Sequence, residues 1–315
     1  MRAVVISDGE VTWAERPDPR PGPHDLLVRV EAAGLNRADL LQKAGHYPPP
    51  AGVPEDQPGL ECAGTVERAG EAVVKYRAGD RVMGLLAGAA QAELALLDEA
   101  VAMAVPKTCT PVEAGGFPEA FVTAYDALFP QAALSIGERV LVTGAAGGVG
   151  MAAVQLAAAA GAKVVASVRD SSTRVRGGVA KLGATCVVPG EAAGHGPFDV
   201  VLELVGGPSV PAALESLAPR GRVVVIGIGA GSRATVDLGL LMHRRSTMRG
   251  STMRSRSPAE KAVLTGELER HVLPLLDQGR VRVVVEATYP FEKVAEAYAR
   301  FEAGHKFGKI ILTSP

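Results

Sequence analysis

Cysteine is scarce in this chain: of 315 residues only Cys62, Cys109 and Cys186 are cysteine, and they lie far apart with no C-x-x-C pair. That spacing argues against a disulfide framework and a multi-cysteine zinc lobe, and fits a reducing cytoplasmic setting. Net charge is nearly absent as well, with 33 Lys and Arg against 34 Asp and Glu. Without a global field, neither nucleic acid nor a membrane surface is an expected partner, and a neutral or weakly charged small molecule suits the chain better. The histidines His24, His46, His195, His243, His271 and His305 show no paired spacing, so none is expected to ligate a metal. The first ten residues lack the basic and apolar segments of a secretory leader.

One apolar run is long. From Val140 to Val168 nearly every residue is small or apolar, enough in length alone to span a bilayer. Gly144, Gly147, Gly148 and Gly150 crowd its first part, where they would weaken a membrane helix. Buried parallel strands also read as continuous apolar runs, so strand, turn and helix is the expected reading.

The length suits two domains. The first hundred residues mix short β-like runs, Ala3–Ile6, Leu26–Glu31 and Ala63–Arg68, with Pro- and Gly-rich loops, and predict a mainly β domain. After about Glu119 strands and helices alternate: Arg139–Thr143, a helix to Ala160, Lys163–Val168, a helix to Leu182, Cys186–Val188, Asp199–Leu204, a helix near Val210–Leu217, and Arg222–Ile228. Alternation of this kind predicts an α/β unit, a doubly wound parallel sheet covered by helices. From about Leu268 the pattern shortens, and Lys309–Thr313 reads as a strand returning to the first domain. The expected division is 1–119 with 268–315, and 120–267.

Between the strand at Val140-Leu141-Val142 and the next helix stands Ala145-Ala146-Gly147-Gly148-Val149-Gly150, an A-x-G-x-x-G form of the dinucleotide fingerprint, with Gly161 as the helix stop. The chemistry requires a tight turn, a backbone close enough to set amides on a pyrophosphate, and a helix N-terminus behind it. At the end of the second strand, where an acidic side chain would read the ribose of NADH, the chain has Arg169. With Ser167, Arg174 and Arg176 nearby, this predicts grip on a 2′-phosphate and hence NADPH. A shift of one residue would bring Asp170 to the ribose and favour NADH instead, and Arg174 and Arg176 also suit a solvated helix face.

Three segments, Gly34-Leu35-Asn36-Arg37-Ala38-Asp39, Gly45-His46-Tyr47-Pro48-Pro49-Pro50 and Pro58-Gly59-Leu60-Glu61-Cys62-Ala63-Gly64, resemble the N-terminal signatures of zeta-crystallin-like quinone oxidoreductases of the medium-chain dehydrogenase/reductase superfamily. Val142–Gly150 resembles their coenzyme loop and Gly308–Leu312 their closing strand, so the likeness spans the chain. Asn36–Leu40 and the Tyr-Pro-Pro-Pro stretch are most similar to the p53-inducible quinone oxidoreductase subgroup. The resemblance implies a GroES-like, mainly β catalytic domain joined to a Rossmann coenzyme domain, a cytoplasmic location, and a homodimer, with tetramers left open. Strands such as Arg222–Ile228, read as lying near a sheet edge, are candidates to pair across the two-fold axis.

The same resemblance marks what is missing. Zinc-dependent relatives would carry a cysteine near Asn36, a histidine at about Leu60 and a cysteine near Glu119, so no catalytic zinc is expected. Without a Lewis acid, the implied reaction is hydride transfer from NADPH to a quinone, which accepts hydride readily because the product gains aromaticity. The resemblance places Asn36, Asp39 and Tyr47 in the substrate cleft as catalytic candidates, Asn36, Tyr47 and Thr123 also against the coenzyme, and Tyr47 either as a hydrogen-bond donor to a developing oxyanion or as a covering aromatic. Leu204, Val205, Ile226 and Gly227 end later strands, where ligands of open α/β sheets gather, and Phe307 and Gly308 could close over the coenzyme. Relatives often have an Asn-Tyr pair after the third strand; here Val188-Pro189 stands instead, which leaves Arg169 to carry the NADPH expectation. The Arg-rich stretch from His243 to Arg256 reads as a solvated segment near the coenzyme phosphates, because aromatics for base stacking are absent from it. Two other readings stay open: a zinc-free enoyl or alkenal reductase, and a coenzyme-binding structural or RNA-binding protein.

Overall fold

The computed structural model describes residues 1–169 and 172–314. Its contacts divide the chain into Met1–Val122 with Met253–Pro315, and Thr123–Thr252.

In chain order the first unit contributes β1 (Arg2–Ser7), β2 (Glu10–Glu15), β3 (Asp25–Gly34), α1 (Arg37–Lys43), β4 (Glu61–Ala69), β5 (Arg81–Leu85), β6 (Leu94–Asp98), β7 (Ala102–Ala104), α2 (Pro111–Gly115) and the start of α3 (Pro118–Asp126). The second supplies β8 (Arg139–Val142), α4 (Gly148–Ala159), β9 (Lys163–Ser167), α5 (Thr173–Ala180), β10 (Ala184–Val187), β11 (Phe198–Glu203), α6 (Ser209–Glu215), β12 (Leu217–Val225), α7 (Leu238–Arg244) and β13 (Thr247–Gly250). The chain then returns to the first unit with α8 (Pro258–His271), α9 (Leu273–Asp277), β14 (Val285–Pro290), α10 (Val294–Glu302) and β15 (Lys309–Thr313).

The first unit is the mainly β domain that its short strands predict. Among the described residues its larger sheet runs β14-β15-β3-β4-β5-β7, with β6 also paired to β3. Its core gathers Val4, Val30, Leu35, Ile310 and Leu312 against Phe291 and Tyr298, and Trp13 stacks on Phe291 with ring centroids 4.8 Å apart. Capping boxes start α2 and α8, Thr110 with Glu113 and Ser257 with Glu260, each followed by proline in the first turn.

The second unit is a parallel sheet in the order β10-β9-β8-β11-β12-β13. Val140, Val142, Val164, Val200 and Leu202 are buried in it, which explains the unbroken apolar reading of these strands. No helix among the described residues is long and apolar enough to cross a membrane.

Two expectations need correction. Arg222–Ile228 is not an edge: β12 lies between β11 and β13, and β13 is the outer strand, with all four of its residues exposed. The return to the first unit comes at Met253 rather than near Leu268. Arg254 anchors that return, donating to the carbonyls of Ala87 and Tyr47 at 2.8 Å each and to Gln42 Oε1 at 2.7 Å, and α8 packs on β7.

Candidate active site

In the coenzyme unit the fingerprint has the geometry its residues require. The Ala145 amide donates to the Ser167 carbonyl at 3.1 Å, which ties the loop to the end of β9. Gly147 caps α4 in extended backbone, and the first bond within the helix is Met151 N–H to the Gly147 carbonyl at 2.9 Å. The preceding amides, on Gly148, Val149 and Gly150, therefore have no partner within the helix and suit a pyrophosphate. A side chain on Gly147 would find only the Gly144 carbonyl, at 3.6 Å, whereas one on Gly150 would sit 2.6 Å from Ala145 Cα. Approach of a ligand at the first position and of backbone at the second are the two demands a dinucleotide loop makes of its glycines. The residues present fit a dinucleotide.

The other predicted coenzyme positions gather at the same ends of the strands. Leu204 N–H donates to Thr143 Oγ1 at 2.9 Å, and Ile226 and Gly227 both donate to the Glu203 carbonyl, at 2.9 and 3.1 Å. Glu203, which the sequence reading passed over, is wholly buried; its carboxylate accepts from Val205 N–H at 2.7 Å, Gly206 N–H at 2.9 Å and Ser209 Oγ at 2.8 Å, and so fixes the turn that presents Leu204 and Val205. Ser167 is buried, Arg169 is exposed just past β9, and Arg174 lies in the first turn of α5. Arg176 is engaged, donating to the Cys186 carbonyl at 3.2 Å. Asp170 lies outside the described residues. Thr123 is buried on α3.

The catalytic candidates fall in the first unit, around a buried polar network. Asp39 does not line a substrate surface as expected: it is 1% exposed, and both its oxygens are in use. Its Oδ2 accepts from Asn36 N–H at 2.7 Å and Gln91 Nε2 at 3.2 Å, and its Oδ1 from Gly59 N–H at 3.2 Å. It closes the capping box of α1 and is a positioning residue. Asn36 is also withdrawn, its Nδ2 donating to Glu61 Oε1 at 2.9 Å and its Oδ1 accepting from Lys309 Nζ at 2.7 Å. Lys309 donates further to Glu61 and to the Leu35 carbonyl, the latter at 2.9 Å, and Glu61 Oε2 accepts from Glu119 N–H at 2.8 Å. Tyr298 extends the network by donating to Gln91 Oε1 at 2.8 Å.

Tyr47 is half-buried in its loop, with the Arg254 guanidinium 5.1 Å from its ring centroid. Arg254 itself corrects the picture of a solvated basic stretch, being only 4% exposed, while Arg244 donates to the Leu217 carbonyl and Arg249 to Gln131. Phe307 is half-buried, its N–H held by Glu286 Oε2 at 3.1 Å, and Gly308 is buried against the backbone of Val284.

Sequence reasoning missed the pairing of Glu61 with Lys309. The signal was there, a lone charge in each of two apolar contexts, Gly59-Leu60-Glu61-Cys62-Ala63 and Gly308-Lys309-Ile310-Ile311, because buried opposite charges seek each other.

Two carboxyls near this network hold protons unusually well. Burial pushes Asp39 from 3.8 up to about 6, against the pull of the Asn36 and Gly59 amides and of Lys309. Burial and then the charge of Glu61 push Glu119 from 4.5 up to about 7. Each binds its proton more tightly in the folded chain than in the unfolded one. The stability they contribute is therefore fully present below about pH 4 and is lost as pH rises through about 6 for Asp39 and about 7 for Glu119. Urea midpoints at about pH 5 and about pH 8 are expected to differ less in a Glu119→Gln variant than in the native chain; an unchanged difference would refute the assignment for Glu119.

Comparison with known proteins agrees with this architecture. Residues 22–133 match the family model described as alcohol dehydrogenase GroES-like domain, and 160–312 match the one described as zinc-binding dehydrogenase. The chain is 30% identical to quinone oxidoreductase-like protein 2 of Bos taurus, covering 95% of this chain and 88% of that protein. It is 29% identical to acryloyl-coenzyme A reductase of Sulfurisphaera tokodaii over 99% of both chains. The crystal structure of a Pseudomonas syringae quinone oxidoreductase superimposes with a TM-score of 0.86 at 27% identity, covering 99% of each chain.

Proposed function

The chain belongs to the medium-chain dehydrogenase/reductase superfamily of oxidoreductases, and from that premise we propose that it uses NADPH to reduce quinones without zinc. The observation that carries this reading is the pairing of Asn36 with Glu61 and Lys309. Where zinc-dependent relatives would place a thiolate, this chain has an amide whose oxygen is already taken by an ammonium. At about the imidazole position it has Leu60, 2% exposed and without a donor atom. Such a site favours an acceptor that needs no Lewis acid, and a quinone meets that condition.

The fingerprint amides and the N-terminus of α4 would hold the dinucleotide, and Arg169 would grip its 2′-phosphate. The bound nicotinamide supplies hydride. The protein's part is to orient acceptor and coenzyme, with Asn36 fixed by its neighbours and Tyr47 donating a hydrogen bond to the oxygen that gains charge.

The test is NADPH consumption with 1,2-naphthoquinone and 9,10-phenanthrenequinone beside crotonyl thioesters and 2-alkenals. Preference for the thioester would replace the quinone reading with an enoyl reductase, a reading that the acryloyl-coenzyme A reductase likeness supports. Arg169→Ala is expected to raise KM for NADPH about 10- to 100-fold, the worth of one or two charge-assisted hydrogen bonds, and to leave KM for NADH nearly unchanged. Equal effects on both coenzymes would remove Arg169 from the phosphate site.

A homodimer is part of the proposal, formed through β13 rather than β12. The outer edge of β13 is exposed, and Leu238, Met242 and Met248 on α7 and β13 are 66%, 76% and 43% exposed. An unprotected edge with exposed apolar side chains favours pairing with a second copy. Met248→Lys is expected to shift the mass measured by light scattering toward the monomer; a monomeric native chain would end this part.

A further inference from the structure

The reaction proposed above gives no part to Arg254, a guanidinium only 4% exposed. Burying a cation is costly, and the usual compensation is an acid beside it. Among the described residues Arg254 forms no ion pair with a carboxylate; its acceptors are three neutral oxygens from three stretches of chain. Nη1 donates to the Tyr47 carbonyl and Nε to the Ala87 carbonyl, at 2.8 Å each, and Nη2 donates to Gln42 Oε1 on α1 at 2.7 Å. Gln42 in turn donates from Nε2 to the Glu55 carbonyl at 2.9 Å, so the two side chains together fasten the loop after α1 at Tyr47 and again at Glu55. The same guanidinium lies 5.1 Å from the centroid of the Tyr47 ring. Its backbone is held as well, the Arg254 carbonyl accepting from Lys261 Nζ at 2.9 Å. A lysine could supply the charge at this place but not the fork: diverging donors in one plane, with a flat face for an aromatic ring, are properties of guanidinium.

We propose that Arg254 is a positioning residue for the reduction, holding the Tyr47 phenol where it donates to the oxygen that gains charge. The inference rests on the reading of Tyr47 as that donor. Because the guanidinium bonds the Tyr47 main chain and also backs its ring, the place of the phenol relative to α1 is set before an acceptor arrives. Little reorganisation is then left for the transition state. This role accounts for a buried cation that has no acid beside it: what the guanidinium contributes is the geometry of the loop.

A double-mutant cycle on kcat, with 1,2-naphthoquinone and saturating NADPH, tests it. Arg254→Gln is expected to lower kcat about 10- to 100-fold, the order of loss that follows an ångström of misplacement, and to change KM for NADPH less than about twofold. Arg254→Lys, which keeps the charge and loses the fork, is expected to fall nearly as far. Tyr47→Phe alone is expected to lower kcat to a similar degree. In the Tyr47→Phe background no hydroxyl remains to be placed, so Arg254→Gln or Arg254→Lys is expected to lower kcat hardly further. Equal losses in the two backgrounds, or a native kcat in either Arg254 variant, would overturn the proposal. If Arg254→Gln does not fold, Arg254→Lys closes the cycle alone.

Hydrogen exchange reads the clasp without any reaction. Over residues 44–57 it is expected to be about tenfold faster in both Arg254 variants than in the native chain, and unchanged over β15. A Tyr47→Phe variant at the native rate would refute the donor reading on which the proposal stands. Exchange unaltered by either Arg254 variant would refute the proposal and leave that reading intact.

Discussion

A Lys309→Met variant is expected to lose about 3–5 kcal/mol of stability, the cost of removing one member of a buried ion pair. Lys309 is 3% exposed and Glu61 is fully buried. Three acceptors surround the ammonium: Glu61, Asn36 Oδ1 and the Leu35 carbonyl. Methionine fills nearly the same volume, so little of the loss would come from a cavity. Its main source is Glu61, left as a charge with only the Asn36 amide and the Glu119 N–H for partners. Adding Glu61→Gln removes that charge, and the double variant is expected to recover a substantial part of the loss in urea denaturation. Lys309 also pulls Glu119 downward, so its removal is expected to raise the pH at which Glu119 titrates. A double variant no more stable than Lys309→Met would mean that shape rather than charge sets the cost.

This pair also marks where the sequence stops being legible. Elements with a regular period could be read directly. The apolar strands β8, β9 and β11 lie where continuous hydrophobic runs placed them, Gly161 ends α4 as a left-handed residue, and Lys309–Thr313 is the strand that joins β3. Local patterns suffice for such elements, since the burial of a strand in a parallel sheet depends on its own residues. The chemistry around α1 depends instead on partners far along the chain. Asp39 meets Gln91, Asn36 meets Lys309, and Gln42 meets Arg254, and no short-range rule links these positions.

Resemblance pointed to Asn36 and Asp39 and set Asp39 along the substrate cleft, a place at odds with its burial and its part in the capping box of α1. The same limit explains the misplaced edge. Thr247–Gly250 is only four residues long, sits within an Arg-rich segment and has Met248 as its one large apolar residue, so it carries no run or alternation to set it beyond β12.

Two nearby glycine substitutions should differ in their effect on stability yet both weaken coenzyme binding. At Gly147 a methyl group would meet nothing nearer than the Gly144 carbonyl, at 3.6 Å, and the backbone, φ −81° and ψ 167°, suits any residue. Gly147→Ala is therefore expected to fold with its melting temperature almost unchanged. If the loop amides face a pyrophosphate, however, the new methyl group occupies the approach, and affinity for NADPH is expected to fall about 100-fold, the order of loss that follows an ångström of misplacement. At Gly150 the methyl group would lie 2.6 Å from Ala145 Cα and 2.8 Å from the Gly144 carbonyl, and both contacts are backbone. Gly150→Ala must push α4 away from the loop, so it is expected to cost about 1–3 kcal/mol of stability and also to weaken binding. Calorimetric titration with NADPH beside thermal denaturation distinguishes the two outcomes. Native affinity in Gly147→Ala would show that this turn serves only the packing of α4 on its sheet, and the nucleotide would then have to be sought elsewhere.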